Sequence, residues 1–475
     1  MRILLVKPRP RLAPIRALQR FQLLEPLELG YVAAAVPPGH EVRILDLRLA
    51  RFPGLAFRRA LARFRPELVG FTAYSHEASA AKRLAREARA ALPAVRLVVG
   101  GHHATVAPED FLHDDPPPFD AVVRGEGCAP FRAIVERAAA GAPFDGIPQV
   151  AVPGATDSPG WPLYPDPATL PRARRDLWDA RRYHAVWVRE DAPDWASIDP
   201  PVAIVRASWG CRMKCTFCIV PSLCGGRHLP RPPDDVADEI ASLAAEHVYF
   251  CDDENFIDPD FALALAEALA RRGVAKRYFA WARSTSVLRH PEVFRAWRAL
   301  GLDAAFIGFE FPTDEQLKRV AKGATVADNA RAHDALRAEG IAVHAGFMLM
   351  PESGEEEFQR LGAYIRAMPP VQLSFTVCTP SPGTPDYAAI RDRIWVDNPY
   401  ELHDCMHPLT PTALPLRRFC ALFARQVAEG SHKTPLRTHN HPVPPLELAR
   451  ILVASTLYPR AFAAVYRDYP RELWG

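Results

Sequence analysis

Residues 202–218 read Val-Ala-Ile-Val-Arg-Ala-Ser-Trp-Gly-Cys211-Arg-Met-Lys-Cys215-Thr-Phe217-Cys218. A β-branched, apolar run predicts a strand over Val202–Ala207, and three of the chain's nine cysteines follow within eight residues. The loop leaving the carboxyl end of a strand is where βα barrels place their chemistry. Three thiolates can bind three irons of a cubane and leave the fourth iron without a protein ligand. Catalytic metal sites keep such a position open, whereas structural sites close theirs. A zinc knot completed by Cys224 or His228 is the competing reading, although zinc motifs more often repeat cysteine pairs two apart.

Downstream the pattern alternates. Strands are expected at His247–Asp252, Arg277–Arg283, Ala304–Glu310, Ala342–Met350 and Gln372–Thr379. Helices are expected at Asp234–Ala245, Pro259–Arg271, Pro291–Leu300, Val326–Glu339 and Gly354–Met368. Six βα units are too few for a closed eight-fold barrel and suit a partial one. From about Asp386 to the end the pattern is helical and less regular.

Upstream, apolar runs at Arg2–Lys7, Glu41–Asp46, Glu67–Ala73, Val95–Gly101 and Ala121–Gly125 alternate with helical stretches. Those stretches are Leu27–Val36, Leu55–Phe64, Glu77–Leu92 and Pro130–Ala139. The alternation predicts a parallel sheet covered on both faces, a flavodoxin-like (Rossmann-type) domain with ligands at the carboxyl ends of its strands. Between the two series, prolines crowd residues 141–200, blocking helices and central strands and marking a connecting segment. The fold expected is therefore α/β: a domain over 1–140, a connector over 141–200, a six-stranded partial TIM barrel over 201–385 and a helical region over 386–475.

The 58 basic and 55 acidic side chains nearly balance, too even to suggest a nucleic-acid binder with its concentrated basic face. No apolar run approaches the ~20 residues a bilayer requires, and the first residues read as a strand rather than a signal peptide. A cytoplasmic location is expected, where cysteines are kept reduced.

The CxxxCxxC spacing with Phe217 before the last cysteine resembles that of radical S-adenosylmethionine (SAM) enzymes. The resemblance implies a 4Fe-4S cluster on Cys211, Cys215 and Cys218, catalytic as well as metal-binding. Its open iron would chelate SAM, and one electron would cleave SAM to methionine and a 5′-deoxyadenosyl radical. Further positions resemble the family's cofactor-binding residues: Phe217, Asp252, Asp253, Asn255, Arg283, Glu310 and Gly346, with the segment Thr379–Thr384.

The N-terminal domain resembles the cobalamin-binding half of cobalamin-dependent radical SAM enzymes. The matching pieces are Glu25-Pro26-Leu27, Gly30-Tyr31, Gly39–Asp46, Gly100–Thr105 and Gly125–Gly127. Thr72, Ser75, Gly100, Gly101, His103, Thr105, Gly125, Glu126 and Gly127 are the positions implied to contact cobalamin. One departure stands out. Carriers with a DxHxxG motif after the first strand ligate cobalt through its histidine, and here that loop, Pro8–Ile15, has none. The resemblance implies cobalt without a histidine ligand, with His102 and His103 near the corrin edge or tail.

A radical generator beside a methyl carrier implies a methyltransferase acting on an unactivated carbon. The family also includes cyclases and rearrangement enzymes, which remain the alternative. The stretches Val371–Thr384 and Tyr400–Leu416 resemble hopanoid C-3 methylases, implying ring A of a pentacyclic lipid as acceptor. The partners implied are a small-molecule or lipid substrate and a low-potential electron donor of the flavodoxin or ferredoxin type. The aromatic stretch Leu446–Tyr469 is either core packing or the place for peripheral contact with the inner membrane.

Overall fold

A computed structural model describes residues 1–154, 164, 166–189, 196–199, 201–369, 371–431, 453 and 457–475. The chain divides into two compact units, Met1–Leu12 with Pro26–Ala180, and Ala13–Glu25 with Arg181–Gly475.

The first unit is built on β1 (Arg2–Lys7), β2 (Glu41–Asp46), β3 (Leu68–Thr72), β4 (Arg96–Gly100), β5 (Ala121–Val123) and β6 (Val150–Ala151), in the order β2-β1-β3-β4-β5-β6. The first five are parallel. Each strand alternates its apolar side chains between two cores. One, with Leu4, Val6, Val69 and Phe71, packs under helices Pro53–Phe64 and Ala78–Ala91. The other, with Ile3, Leu5, Leu68 and Val98, packs under Leu27–Ala34 and Cys128–Ala139. Burial on both faces is what makes these strands read as continuous apolar runs. The order reverses between β1 and β3, the switch point at which such sheets bind ligands.

The proline-rich stretch does more than connect. Val150–Ala151 adds an antiparallel edge strand to β5, and Ala185–Val188 (β7) pairs with Ala196–Asp199 (β8). Prolines exclude central strands, but a two-residue edge strand between Pro148 and Pro153 needs few ladder bonds.

The second unit holds β9 (Val202–Val205), β10 (Ser208–Trp209), β11 (Leu229–Pro230), β12 (His247–Phe250), β13 (Arg277–Ala282), β14 (Leu302–Glu310), β15 (Ala342–Leu349) and β16 (Gln372–Val377). Strands β9 and β12–β16 form one parallel sheet in sequential order, curled into a half-barrel. Its outer face carries Val205, Val248, Ala280, Ile307, Ala345 and Val377 into a core shared with the flanking helices.

Beyond the barrel, the helix Leu416–Ser431 packs Phe419, Phe423 and Val427 onto that core. Of the stretch Leu446–Tyr469, residues 446–452 and 454–456 lie outside the described residues, and 457–463 are helical. A buried imidazole ties this region together. His407 Nδ1 lies 3.0 Å from both Asp404 carboxylate oxygens and its Nε2 lies 3.1 Å from Asp468. Burial opposes charge on the ring, but the two carboxylates prevail and hold its pKa at about 9. The ordinary value is 6.5, so this contribution is complete below about pH 6.5 and is lost as pH rises through 9. Melting temperature is therefore expected to fall more steeply between about pH 7 and 9.5 in the native protein than in His407→Gln. Parallel pH curves for the two proteins would contradict the assignment.

Candidate functional site

The cysteine loop is pinched at its base and braced on both sides. Antiparallel pairing of Ser208 with Pro230 and Trp209 with Leu229 closes it. Gly210 enters at φ +87°, and a Cβ there would overlap the Arg227 carbonyl and come within 2.9 Å of Cys224. Two carboxylates after β12 fix the entry. Asp252 accepts from the Ala207 amide at 2.8 Å and the Ser208 hydroxyl at 2.7 Å. Asp253 accepts from the Gly210 amide at 2.7 Å. Burial pushes the Asp252 carboxyl up to about 6. On the far side, the Thr216 amide donates to the Val320 carbonyl at 3.1 Å. The Thr216 hydroxyl reaches Asp386 at 3.0 Å, and Ser222 reaches the Gly383 carbonyl at 2.7 Å.

Cys211 and Cys215 are buried and Cys218 is half-buried. Burial pushes the Cys211 thiol up and that of Cys218 to about 12. Such thiols ionise when a metal displaces the proton, as ligation requires. The Arg283 guanidinium lies 3.6 Å from the Cys215 sulfur and also donates to the Lys322 carbonyl. Among the described residues, no three His, Cys, Asp or Glu side chains converge as one ion would demand.

The remaining barrel positions divide by what they touch. Glu310 adopts φ +62° at a bulge in β14 and pairs with Lys322 at 2.7 Å. Gly346 has Phe306 against it, with 2.6 Å to an added Cβ. Asn255 accepts from the Trp281 amide at 2.8 Å and donates its own amide to the Trp281 carbonyl at 3.0 Å, bracing β13. Phe217 packs against a small cluster of Phe311, Leu317, Val320 and Met348. Asp252 and Asn255 thus hold the scaffold of the site with their own oxygens. Three groups not singled out from sequence belong here too: Arg206, Lys322 and Glu254. Glu254 is buried with its carboxyl pushed up to about 8 by desolvation. Its signal was the run Asp252-Asp253-Glu254-Asn255 at the end of an apolar strand.

In the first unit, the loops after β3, β4 and β5 interlock. Gly101, at φ +97°, fits against Thr72 and Ala73, where a Cβ would approach to 2.7 Å and 2.9 Å. His103 is fully buried, with Nδ1 3.1 Å from the Ser75 hydroxyl and Nε2 3.1 Å from Asp110. The Thr105 hydroxyl donates to the Gly101 carbonyl and accepts from the Gly125 amide at 2.9 Å. Glu126 accepts from the Cys128 amide at 2.9 Å, and burial raises its carboxyl pKa. Gly127 lies against Val32, and Gly100 ends β4 with room for a Cβ. His103, Thr105 and Glu126 therefore shape the loops from within.

Other groups gather at the switch point. Lys7, ending β1, is buried between Glu28 at 3.1 Å and Glu77 at 3.4 Å, with its ammonium 4.6 Å from the Tyr74 ring centroid. Tyr74 is half-exposed and lies beside His76 and His102. Burial pushes His102 down to about 4, and its buried Nδ1 has no protein partner. A neutral ring with an unmet nitrogen at this edge fits a bound cofactor better than solvent. Lys7, Tyr74 and His76 were not legible as site residues because a lysine ending a strand carries no motif.

Comparison with known proteins covers both units. Residues 16–135 match the B12 binding domain and residues 207–365 match the radical SAM superfamily. The chain is 29% identical over 422 residues to a hopanoid C-3 methylase of Methylococcus capsulatus, spanning 88% of this chain and 78% of that one. It is 24% identical over 359 residues to an anaerobic magnesium-protoporphyrin IX monomethyl ester cyclase of Rubrivivax gelatinosus, spanning 74% and 63%. In fold it is similar to the radical SAM methyltransferase TsrM of Kitasatospora setae, solved with cobalamin and a [4Fe-4S] cluster. The TM-score is 0.67 at 17% identity, over 98% of this chain and 99% of that one.

Proposed function

Because the chain belongs to the cobalamin-dependent radical SAM methyltransferase family, we propose that it methylates an unactivated carbon of a pentacyclic lipid, C-3 in ring A of a hopanoid. The observation that carries the lipid is the likeness to a hopanoid C-3 methylase over 422 residues, well past the two domains.

With cluster, SAM and cobalamin bound, the cofactors would supply a radical that abstracts hydrogen from the substrate and a methyl group for the resulting substrate radical to take. The rest falls to the chain. Cys211, Cys215 and Cys218 would hold the cluster, which would supply the iron site for SAM and the electron. Asp252 and Asp253 keep the loop's entry rigid through the Ala207, Ser208 and Gly210 contacts. Arg283 places positive charge beside the Cys215 sulfur, which favours the electron-rich cluster. The Glu310–Lys322 pair sits at the carboxyl end of β14, where a barrel binds its cosubstrate. The switch-point groups of the first unit receive cobalamin. A flavodoxin or ferredoxin supplies the electron, and the lipid is taken up at the inner membrane surface.

Likeness to a magnesium-protoporphyrin ester cyclase favours a second reading, ring formation on another scaffold. Incubation with methyl-labelled SAM, a low-potential reductant, cobalamin and hopanoid lipids separates the two. The methyltransferase reading expects label in a lipid heavier by one CH2 unit. Consumption of SAM with unlabelled lipid would overturn it.

A further inference from the structure

Helices pack against the outer face of the barrel sheet. Side chains of the inner face fall in register across β13–β16: Trp281 beside Phe306, Phe306 beside His344, and His344 beside Gln372. All four are half-buried, whereas Tyr249 and Phe279 on neighbouring strands of the same sheet are buried and stacked 4.5 Å apart. The Trp281 and Phe306 rings lie 4.3 Å apart and the Phe306 and His344 rings 4.9 Å apart, so the layer is a continuous aromatic wall. Three of its polar atoms are buried without a protein partner: Trp281 Nε1, His344 Nε2 and Gln372 Oε1.

Such atoms each cost about 1–3 kcal/mol unless something meets them. Their chemistry specifies what. An indole N–H only donates and an amide oxygen only accepts, so whatever meets them must offer both an acceptor and a donor. A hydroxyl does, whereas a carbonyl leaves Gln372 unmet. Charge is not called for either, since burial pushes His344 down to about 3 and keeps it neutral. The charged residues lie closer to the carboxyl ends, at Arg283 and Glu310.

We propose that the layer Trp281–Phe306–His344–Gln372 is the acceptor pocket and recognises a neutral hydroxyl on an apolar ring skeleton. The proposal rests on the lipid methyltransferase reading and adds the residues that choose the substrate. His344 and Gln372 act in specificity, not in the radical chemistry.

Two measurements on the reconstituted, unreduced holoenzyme test it. In the first, a pentacyclic triterpene alcohol and its dehydrated hydrocarbon are titrated in detergent micelles. The native protein is expected to bind the alcohol about tenfold more tightly. In His344→Phe and in Gln372→Leu the two lipids should bind alike, with hydrocarbon affinity retained. In the second, melting is followed without lipid. Removing an unmet polar atom is expected to raise the melting temperature of each variant by about 1–2 °C. A fall in melting temperature would show that resident water or protein already meets these atoms, and would overturn the pocket. So would an alcohol preference that survives both substitutions. If the native protein binds neither lipid while both variants melt higher, the pocket stands and the lipid reading falls.

Discussion

Cys215→Ala is expected to leave a folded chain that cannot assemble its cluster. After anaerobic reconstitution with iron and sulfide, the native protein should hold about four irons per chain with broad visible absorption. The variant should fall below about one iron, with 5′-deoxyadenosine formation undetectable. The Cys215 sulfur lies 3.6 Å from Arg283, in the loop that Val320 and Asp386 hold from outside through Thr216. Those braces do not use the thiol, so circular dichroism should be unchanged. Zinc ligation is the rival explanation for three clustered cysteines. Zinc retained at one per chain, without iron, would contradict the cluster.

Gly210→Ala should come close to that loss without touching a ligand. The position is held at φ +87°, where an alanine pays about 1–2 kcal/mol, and the new methyl overlaps the Arg227 carbonyl and crowds Cys224. The amide of Gly210 is bound to Asp253 at 2.7 Å and the ribbon of β10 and β11 closes the loop on either side, so the clash cannot relax locally. Iron content is expected to drop at least about tenfold, the equivalent of about 1.4 kcal/mol in cluster retention, while far-ultraviolet circular dichroism holds. Normal iron loading in this variant would show that the loop entry is not fixed as described.

The period of the apolar residues revealed the architecture to within a few residues. Predicted strands Arg2–Lys7 and Glu41–Asp46 and helices Pro259–Arg271 and Pro291–Leu300 coincide with those observed. They are long, periodic and bounded by proline or charge, so local signals agree with tertiary packing. The elements not foreseen are short. β6, β10 and β11 are two residues each, and such pairs arise from tertiary closure of a loop, not from a pattern. The site follows the same rule. Three cysteines in a loop are legible because ligation demands fixed residue types at fixed spacing. His344, Gln372 and Trp281 are not, because their meaning comes from lying in register, with Phe306, on four neighbouring strands. Lys7 and Tyr74 are a lysine ending one strand and a tyrosine just past the end of another until the sheet order brings them together at its switch point.

The central claim is transfer of a methyl group to a substrate carbon from which a SAM-derived radical has first taken hydrogen. The most direct measurement is the ratio of SAM products under single-lipid turnover, with methyl-labelled SAM, cobalamin and a low-potential reductant. Methyl transfer consumes two SAM molecules: one yields S-adenosylhomocysteine and gives up its methyl, and the other yields methionine and 5′-deoxyadenosine. The account predicts S-adenosylhomocysteine, 5′-deoxyadenosine and methylated lipid in equal amounts. Formation of 5′-deoxyadenosine alone, with all label recovered in methionine, would contradict it.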